Sequence, residues 1–113
     1  MPGFRPDRIV IHPDVLAVYE TLEEEAKRGR KESAAIWKSL QHALSRIRLD
    51  GQWGEVIPRI PAYFARSYGV PNLYCVDLAF FHRAFYTIFR REVIFLDLVD
   101  HARYSRWFPG RRR

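Results

Sequence analysis

A central segment, residues 51–71, holds the pattern with the most evident chemistry in this sequence. Arg59 and Arg66 alternate there with aromatic side chains. Such a pattern suits an RNA strand, because rings stack on bases while guanidinium groups hold phosphates. The aromatic members are Tyr63, Phe64 and Tyr68. The alternative interpretation is a packed connector whose rings cap the core.

Other chemistries find little support in the residue pattern. The chain has a single cysteine, Cys75, and four scattered histidines with no pair at helical spacing. A zinc site and thiol catalysis are therefore not expected. No phosphate-binding glycine motif occurs either. We expect no metal and no cofactor.

The distribution of charge favours a nucleic-acid partner. The chain carries 19 Lys and Arg against 13 Asp and Glu, a net charge of +6. The excess lies in residues 33–113, where 12 of the 13 cations are arginine. Arginine offers a planar fork that matches phosphate oxygens. A solubilising surface explains the same counts equally well.

Length and hydropathy predict one cytoplasmic domain. The 113 residues fit a single domain, residues 1–113, with a short basic C-terminal tail. No charge-free apolar run is long enough to span a membrane, and the N-terminal residues lack a secretory segment. With one cysteine, a reducing compartment is expected, and no membrane partner.

The first half of the chain predicts a strand followed by a helical hairpin. A short apolar run, residues 9–11, indicates the strand, and Pro13 opens the first helix. Gly29 is placed to cap that helix. A second helix is predicted from about Glu32 to Leu49, because apolar residues recur there along one stripe. A short third helix is predicted over residues 62–68.

After residue 71 the apolar period changes to two, which predicts an antiparallel meander of three strands. The runs are NLYCVDL, HRAFYTIF and EVIFLDLVD, linked by residues 79–81 and 90–91. The fold class expected is α+β, with an antiparallel sheet of about four strands and the helical hairpin on one face.

Strict alternation assigns two faces to this sheet. The apolar face should take the helices; its members are Tyr74, Val76, Leu78, Ala84, Tyr86, Ile88, Ile94, Leu96 and Leu98. The opposite face is mixed, and we expect it to be open to solvent or to form a binding surface. Its members are Cys75, Asp77, Arg83, Phe85, Thr87, Phe95, Asp97 and Val99.

The last third of the chain resembles the RelE/ParE toxin superfamily. The second meander strand begins Arg83-Ala84-Phe85-Tyr86, and the end of the third is followed by His101-Ala102-Arg103-Tyr104. The segment IPAYFARSYGVPNL before the sheet is similar to one found in a prokaryotic subgroup of that family. The resemblance implies a RelE-like βααβββ order, which agrees with the predicted elements.

The resemblance also implies a function and partners. RelE-like members are toxins of type II toxin–antitoxin systems that cleave mRNA on the ribosome by attack of a 2′-hydroxyl on the adjacent phosphate. A cognate antitoxin neutralises them, and a heterotetramer with it is one expected assembly. In the ParE branch the toxin instead binds a protein target, DNA gyrase, without cleavage.

By the same resemblance, three residues are candidate catalytic groups. Arg83 would hold the phosphate, His101 would act as base or acid, and Tyr104 would stack on a base or donate a proton. Arg59, Arg66 and Arg103 would guide the RNA backbone.

Each of these assignments has a structural alternative. Arg83 could pair with Asp77 or Asp97 across strands, His101 could cap a helix, and Tyr104 could belong to the core. The chain also departs from the family, because Cys75 occupies a position where many cleaving members carry arginine. The further alternatives are therefore a non-catalytic ParE-like toxin and a basic RNA-binding protein that does not cleave.

Overall fold

A computed structural model describes residues 4–100 of the chain, and the candidate residues His101, Arg103 and Tyr104 lie outside this range. The described residues form an α+β fold in which a five-stranded sheet separates two apolar layers. The helices are α1 (Pro13–Lys27), α2 (Lys31–Leu49) and α3 (Ala62–Tyr68). The strands are β1 (Arg8–Ile11), β2 (Glu55–Val56), β3 (Tyr74–Asp77), β4 (Arg83–Phe89) and β5 (Glu92–Val99).

The helical hairpin forms as predicted. His12 caps the start of α1, where its Nδ1 accepts the Asp14 backbone N–H at 3.0 Å, and Pro13 occupies the first turn. Gly29, with φ of 83°, follows the end of α1 in the left-handed region that favours glycine. The buried stripe of α2 packs on the sheet; its members are Ile36, Leu40, Ala43, Leu44 and Ile47.

The sheet differs from the prediction in strand number and direction. Its order is β1-β5-β4-β3-β2, and β1 pairs with β5 in parallel while the other pairs are antiparallel. The sheet is therefore mixed, with five strands. The two-residue β2 lies within a Gly-rich segment and is too short to show alternation, which explains why periodicity missed it.

A β-bulge in β5 makes part of the predicted face assignment wrong. Phe85 pairs with Asp97 but Tyr86 pairs with Phe95, so Leu96 has no partner on β4. Beyond the bulge the alternation inverts. Phe95 packs with the helices, whereas Ile94 and Leu96 lie on the other side of the sheet.

The opposite face is covered, which corrects the expectation of an open surface. The segment of residues 57–73, which includes α3, lies across it and forms a second apolar cluster. Phe64 is fully buried there, with its ring centroid 5.1 Å from that of Phe85. The other buried members are Ile57, Leu73, Cys75, Leu96 and Val99. For the aromatic rings of this segment, the core-capping interpretation applies to Phe64.

Candidate nucleic-acid interface

Arg83 occupies the first position of β4, at the end of the sheet where β3 and β5 finish. Its cross-strand partners are Asp77 on β3 and Val99 on β5. The guanidinium Nε lies 3.3 Å from Asp77 Oδ1, so the predicted alternative of a cross-strand ion pair is present. The Arg83 side chain is only 5% exposed, whereas that of Asp77 is 75% exposed. The carboxylate therefore holds the cation from the solvent side.

The neighbouring residues of this face are more buried than alternation suggested. Cys75 is buried in the second cluster, and Asp97 is nearly so, with its Oδ1 accepting the Leu98 backbone N–H at 2.9 Å. A thiol tolerates apolar surroundings, and a local hydrogen bond helps to satisfy the carboxylate. Neither residue offers the open, charged surface that the sequence predicted.

A cavity of about 250 Å³ lies beside Asp77, the ion-pair partner of Arg83. Trp53 forms one part of its wall, and Cys75 and Asp77 form another. Glu55 also lines it, so two carboxylates face this space. Their negative charge disfavours an anionic ligand in this cavity.

Arg59 and Arg66 lie on the segment that covers the same face as Arg83. Both side chains are exposed, with Arg66 in the last turn of α3 and Arg59 in the loop before it. The structure thus brings these two cations and Arg83 to one side of the sheet. Their contact with RNA remains a prediction.

The sequence analysis missed a polar cluster at the start of α1. The Tyr68 hydroxyl donates to Asp14 Oδ2 at 3.0 Å and lies 3.4 Å from the Leu96 carbonyl oxygen. Its ring meets the His12 ring edge-on, with centroids 4.9 Å apart. Burial, with hydrogen bonds to Tyr63 and Asp14, raises the pKa of the Tyr68 hydroxyl above its usual value.

His12 and Tyr68 of this cluster line a cavity of about 280 Å³ whose remaining walls are mainly apolar. The Tyr68 hydroxyl donates to Asp14, so it serves here as a hydrogen-bond donor. The sequence signal was weak, because 54 residues separate Asp14 from Tyr68. Only the fold brings Tyr68, the last residue of α3, next to the start of α1.

Residues 4–100 hold neither a metal-ligand cluster nor a membrane-spanning helix. Within this range no three His, Cys, Asp or Glu side chains are grouped as metal ligands. No helix in the described part of the chain is long and apolar enough to cross a membrane.

Comparison with known proteins found no family model that matches the chain, and no significant match among curated proteins or solved structures.

Proposed function

We propose that the protein is a RelE-like toxin of a type II toxin–antitoxin pair that cleaves mRNA on the ribosome. One observation carries the proposal: Arg83 pairs across the sheet with Val99, the last residue of β5. His101 and Tyr104 follow Val99 by two and five residues in the sequence. The order of β1, α1, α2, β3, β4 and β5 also supports the proposal, since it follows the βααβββ order of that family, to which this chain adds β2 and α3.

The proposed reaction needs only side chains. The 2′-hydroxyl attacks the neighbouring phosphorus, a new O–P bond forms, and the bond to the 5′-oxygen of the next nucleotide breaks. His101 takes the hydroxyl proton or returns one to the leaving oxygen, and Tyr104 stacks on a base or donates that proton. Arg83 balances the charge that develops on the phosphate. Arg59, Arg66 and Arg103 guide the RNA backbone.

The Arg83–Asp77 pair sets a condition on this mechanism. Because the Asp77 side chain is mostly exposed, it can turn into solvent while a phosphate takes its place on the guanidinium. The free protein would then hold Arg83 in position without an RNA ligand.

The test is ribosome-dependent cleavage of a defined mRNA by purified protein. Arg83→Ala should lower the rate by about 10²-fold or more, as loss of one charge-stabilising group does. His101→Ala should cost about 10²–10⁴-fold. Arg90→Gln, an exposed arginine in the β4–β5 turn, serves as the control and should cleave normally.

Arg83 is buried, so the thermal transition of each variant must be measured alongside. Asp77→Asn adds a second measurement, since it weakens the hold on Arg83 and should preserve or raise cleavage. Normal cleavage by a folded Arg83→Ala protein would refute the assignment.

The proposed partner in the cell is a cognate antitoxin, with a heterotetramer as one assembly. Co-expression with the product of the adjacent reading frame should relieve growth arrest and yield a complex on purification. A chain that its native host tolerates without any partner would contradict toxicity.

A second candidate function is a non-catalytic, ParE-like toxin that binds a protein target such as DNA gyrase. The burial of Arg83 against Asp77 favours it, because an enclosed guanidinium is less available to a phosphate. Gyrase supercoiling inhibited by a protein that leaves mRNA intact would favour this candidate over cleavage.

A further inference from the structure

The outer face of α2 carries cations with almost no opposing charge. From Lys31 to Leu49 the only acidic residue is Glu32. Helix α1 differs, since its outer residues include Glu20, Glu23 and Glu24. We call the exposed basic residues of α2 the α2 basic face; they are Lys31, Lys38, His42, Arg46 and Arg48.

Helical geometry places these residues on one side. At 100° per residue, Lys31, Lys38 and His42 fall within a narrow strip; Arg46 lies about 40° beyond it on one side and Arg48 about 80° beyond it on the other. The buried stripe of α2 lies opposite. At 1.5 Å per residue the basic face extends about 25 Å along the helix, enough to follow several successive phosphates.

The cations of this face form no ion pair within residues 4–100, although Arg46 and Arg48 lie in the last turn of α2, where the helix dipole favours positive charge. Ion pairs in the described part of the chain engage Lys27 with Glu23 and Arg30 with Glu25, but not Lys38, Arg46 or Arg48. The face is also remote from the covered side of the sheet, because α2 packs on the opposite layer from α3. A role outside folding is therefore open to these side chains.

An aromatic ring lies beside the basic face. Trp53 is 40% exposed, and its ring meets that of His42 edge-on with centroids 6.1 Å apart. The backbone fixes its position, because Trp53 N–H donates to the Asp50 carbonyl and the next residue, Gly54, donates to the Tyr86 hydroxyl. A half-exposed indole is suited to stacking on an unpaired base, and a base carries no charge that Glu55 and Asp77 beside Trp53 would repel.

From these observations we infer that the α2 basic face and Trp53 bind structured RNA: a base-paired stem through its phosphates, and an adjacent unpaired base through Trp53. The identification of the ligand as RNA rests on the proposed function, whereas the presence of the α2 basic face is independent of it. An RNA stem fits because A-form helices are recognised by shape and backbone, and bulged bases by stacking.

The experiment measures binding of two RNA hairpins, one fully paired and one with a single bulged base, over a range of salt concentrations. The test variant is Lys38→Gln/Arg46→Gln/Arg48→Gln. The control is Arg5→Gln/Lys27→Gln/Arg90→Gln, which removes three exposed cations elsewhere. Both variants lower the net charge by three from +6.

We expect the salt slope of log affinity to become shallower by roughly two to three for the α2 variant, about one for each phosphate that the protein no longer neutralises. The control should bind nearly as the wild type does. Trp53→Leu should remove the preference for the bulged hairpin while leaving the slope unchanged. All variants change exposed side chains, and unchanged thermal transitions will verify that they fold.

Three results would overturn the inference. Equal weakening of RNA binding by both triple variants would indicate an effect of net charge alone, and equal or tighter binding of a DNA hairpin of the same sequence would show that RNA is not preferred. Displacement of the RNA by polyglutamate at matched charge would indicate an acidic protein partner. The outcome is separable from cleavage. The Arg83→Ala variant should still bind the hairpins. If the wild-type protein does not cleave mRNA but its hairpin binding depends on the α2 basic face, the proposed function is refuted and the RNA-binding inference stands.

Discussion

Tyr86 is the residue on which the connection between α2 and β2 depends. Its side chain is fully buried, its hydroxyl donates to the Gly51 carbonyl at 2.8 Å, and it accepts the Gly54 N–H at 2.9 Å. Its ring stacks on Tyr74 with centroids 5.1 Å apart. One hydroxyl thus satisfies two backbone groups of a segment that has little regular structure of its own.

Removing that hydroxyl should be costly. Tyr86→Phe leaves a buried carbonyl and an N–H without their partner, and we expect it to lower the free energy of unfolding by about 1–3 kcal/mol. Tyr74→Phe is the matched control. Its hydroxyl makes a single 3.4 Å contact with Gln52 Nε2, so about 0.5 kcal/mol or less is expected. Urea unfolding of both variants measures the difference, and equal losses would contradict this account.

Tyr86 also predicts how stability depends on pH. Burial raises the pKa of its hydroxyl above the usual 10.0, so the unfolded chain releases this proton first as pH rises. The contribution of this hydroxyl to the free energy of unfolding is therefore fully present below pH 10 and is lost progressively as the pH rises above 10. Between pH 10 and 11.5 the free energy of unfolding should fall by up to about 1.4 kcal/mol per pH unit from this group. The free energy of unfolding of Tyr86→Phe should fall less steeply with pH than that of the wild type. Parallel pH dependences for the two proteins would refute the role assigned to Tyr86.

At the scale of elements, the β4–β5 turn combines strain with an anchor. Arg90 and Arg91 both have positive φ, 50° and 67°, a conformation that suits Asn and Gly better than arginine. Arg91 has a second role, because its side chain donates to the Arg5 carbonyl at 2.8 Å and lies 3.4 Å from Asp7. The turn thus holds the segment that leads into β1.

This division of roles predicts different effects on the free energy of unfolding for two similar substitutions. Arg90→Asn should raise the free energy of unfolding by about 0.5–1 kcal/mol, since it relieves left-handed strain and removes only a stacking interaction with Phe89. Arg91→Asn should not raise the free energy of unfolding, because it also removes the side-chain contacts with Arg5 and Asp7 in the N-terminal segment. Thermal unfolding of the two variants tests this, and a gain for Arg91→Asn would show that the anchor is unimportant.

At the scale of the whole molecule, one sheet carries two apolar layers on opposite faces. Leu40 on α2 represents the first layer and Phe64 on α3 the second; both are buried. Because both layers pack on the same strands β3, β4 and β5, we expect them to unfold together.

The test compares Leu40→Ala with Phe64→Ala. We expect losses of about 2–5 and 3–5 kcal/mol, each with a single transition seen by both circular dichroism and tryptophan fluorescence. The double variant should show additive losses. If Phe64→Ala leaves the main transition unchanged, α3 is a cover that melts separately from the sheet and its helical hairpin.

Local sequence signals were sufficient for the helices and for most of the strands. The apolar stripe of α2, Pro13 at the start of α1 and Gly29 after its end each act through neighbours a few residues away. The alternation of β3 and β4 likewise needs only the adjacent side chains. The same holds for the links at residues 79–81 and 90–91. The basic character of the chain is a matter of composition and needs no fold.

Long-range packing decided the remainder. The bulge at Leu96 inverts the face of Ile94 and Phe95, and alternation within one strand cannot reveal an extra residue that only the partner strand defines. The parallel pairing of β1 with β5 joins segments more than 80 residues apart. The cover over the second face buries Cys75, and the Asp14–Tyr68 contact depends on that same cover. Arg83 is buried at the end of the sheet, where it pairs with Asp77. Residue types therefore indicated which groups could do chemistry, but burial, which sets their availability, depends on the tertiary structure.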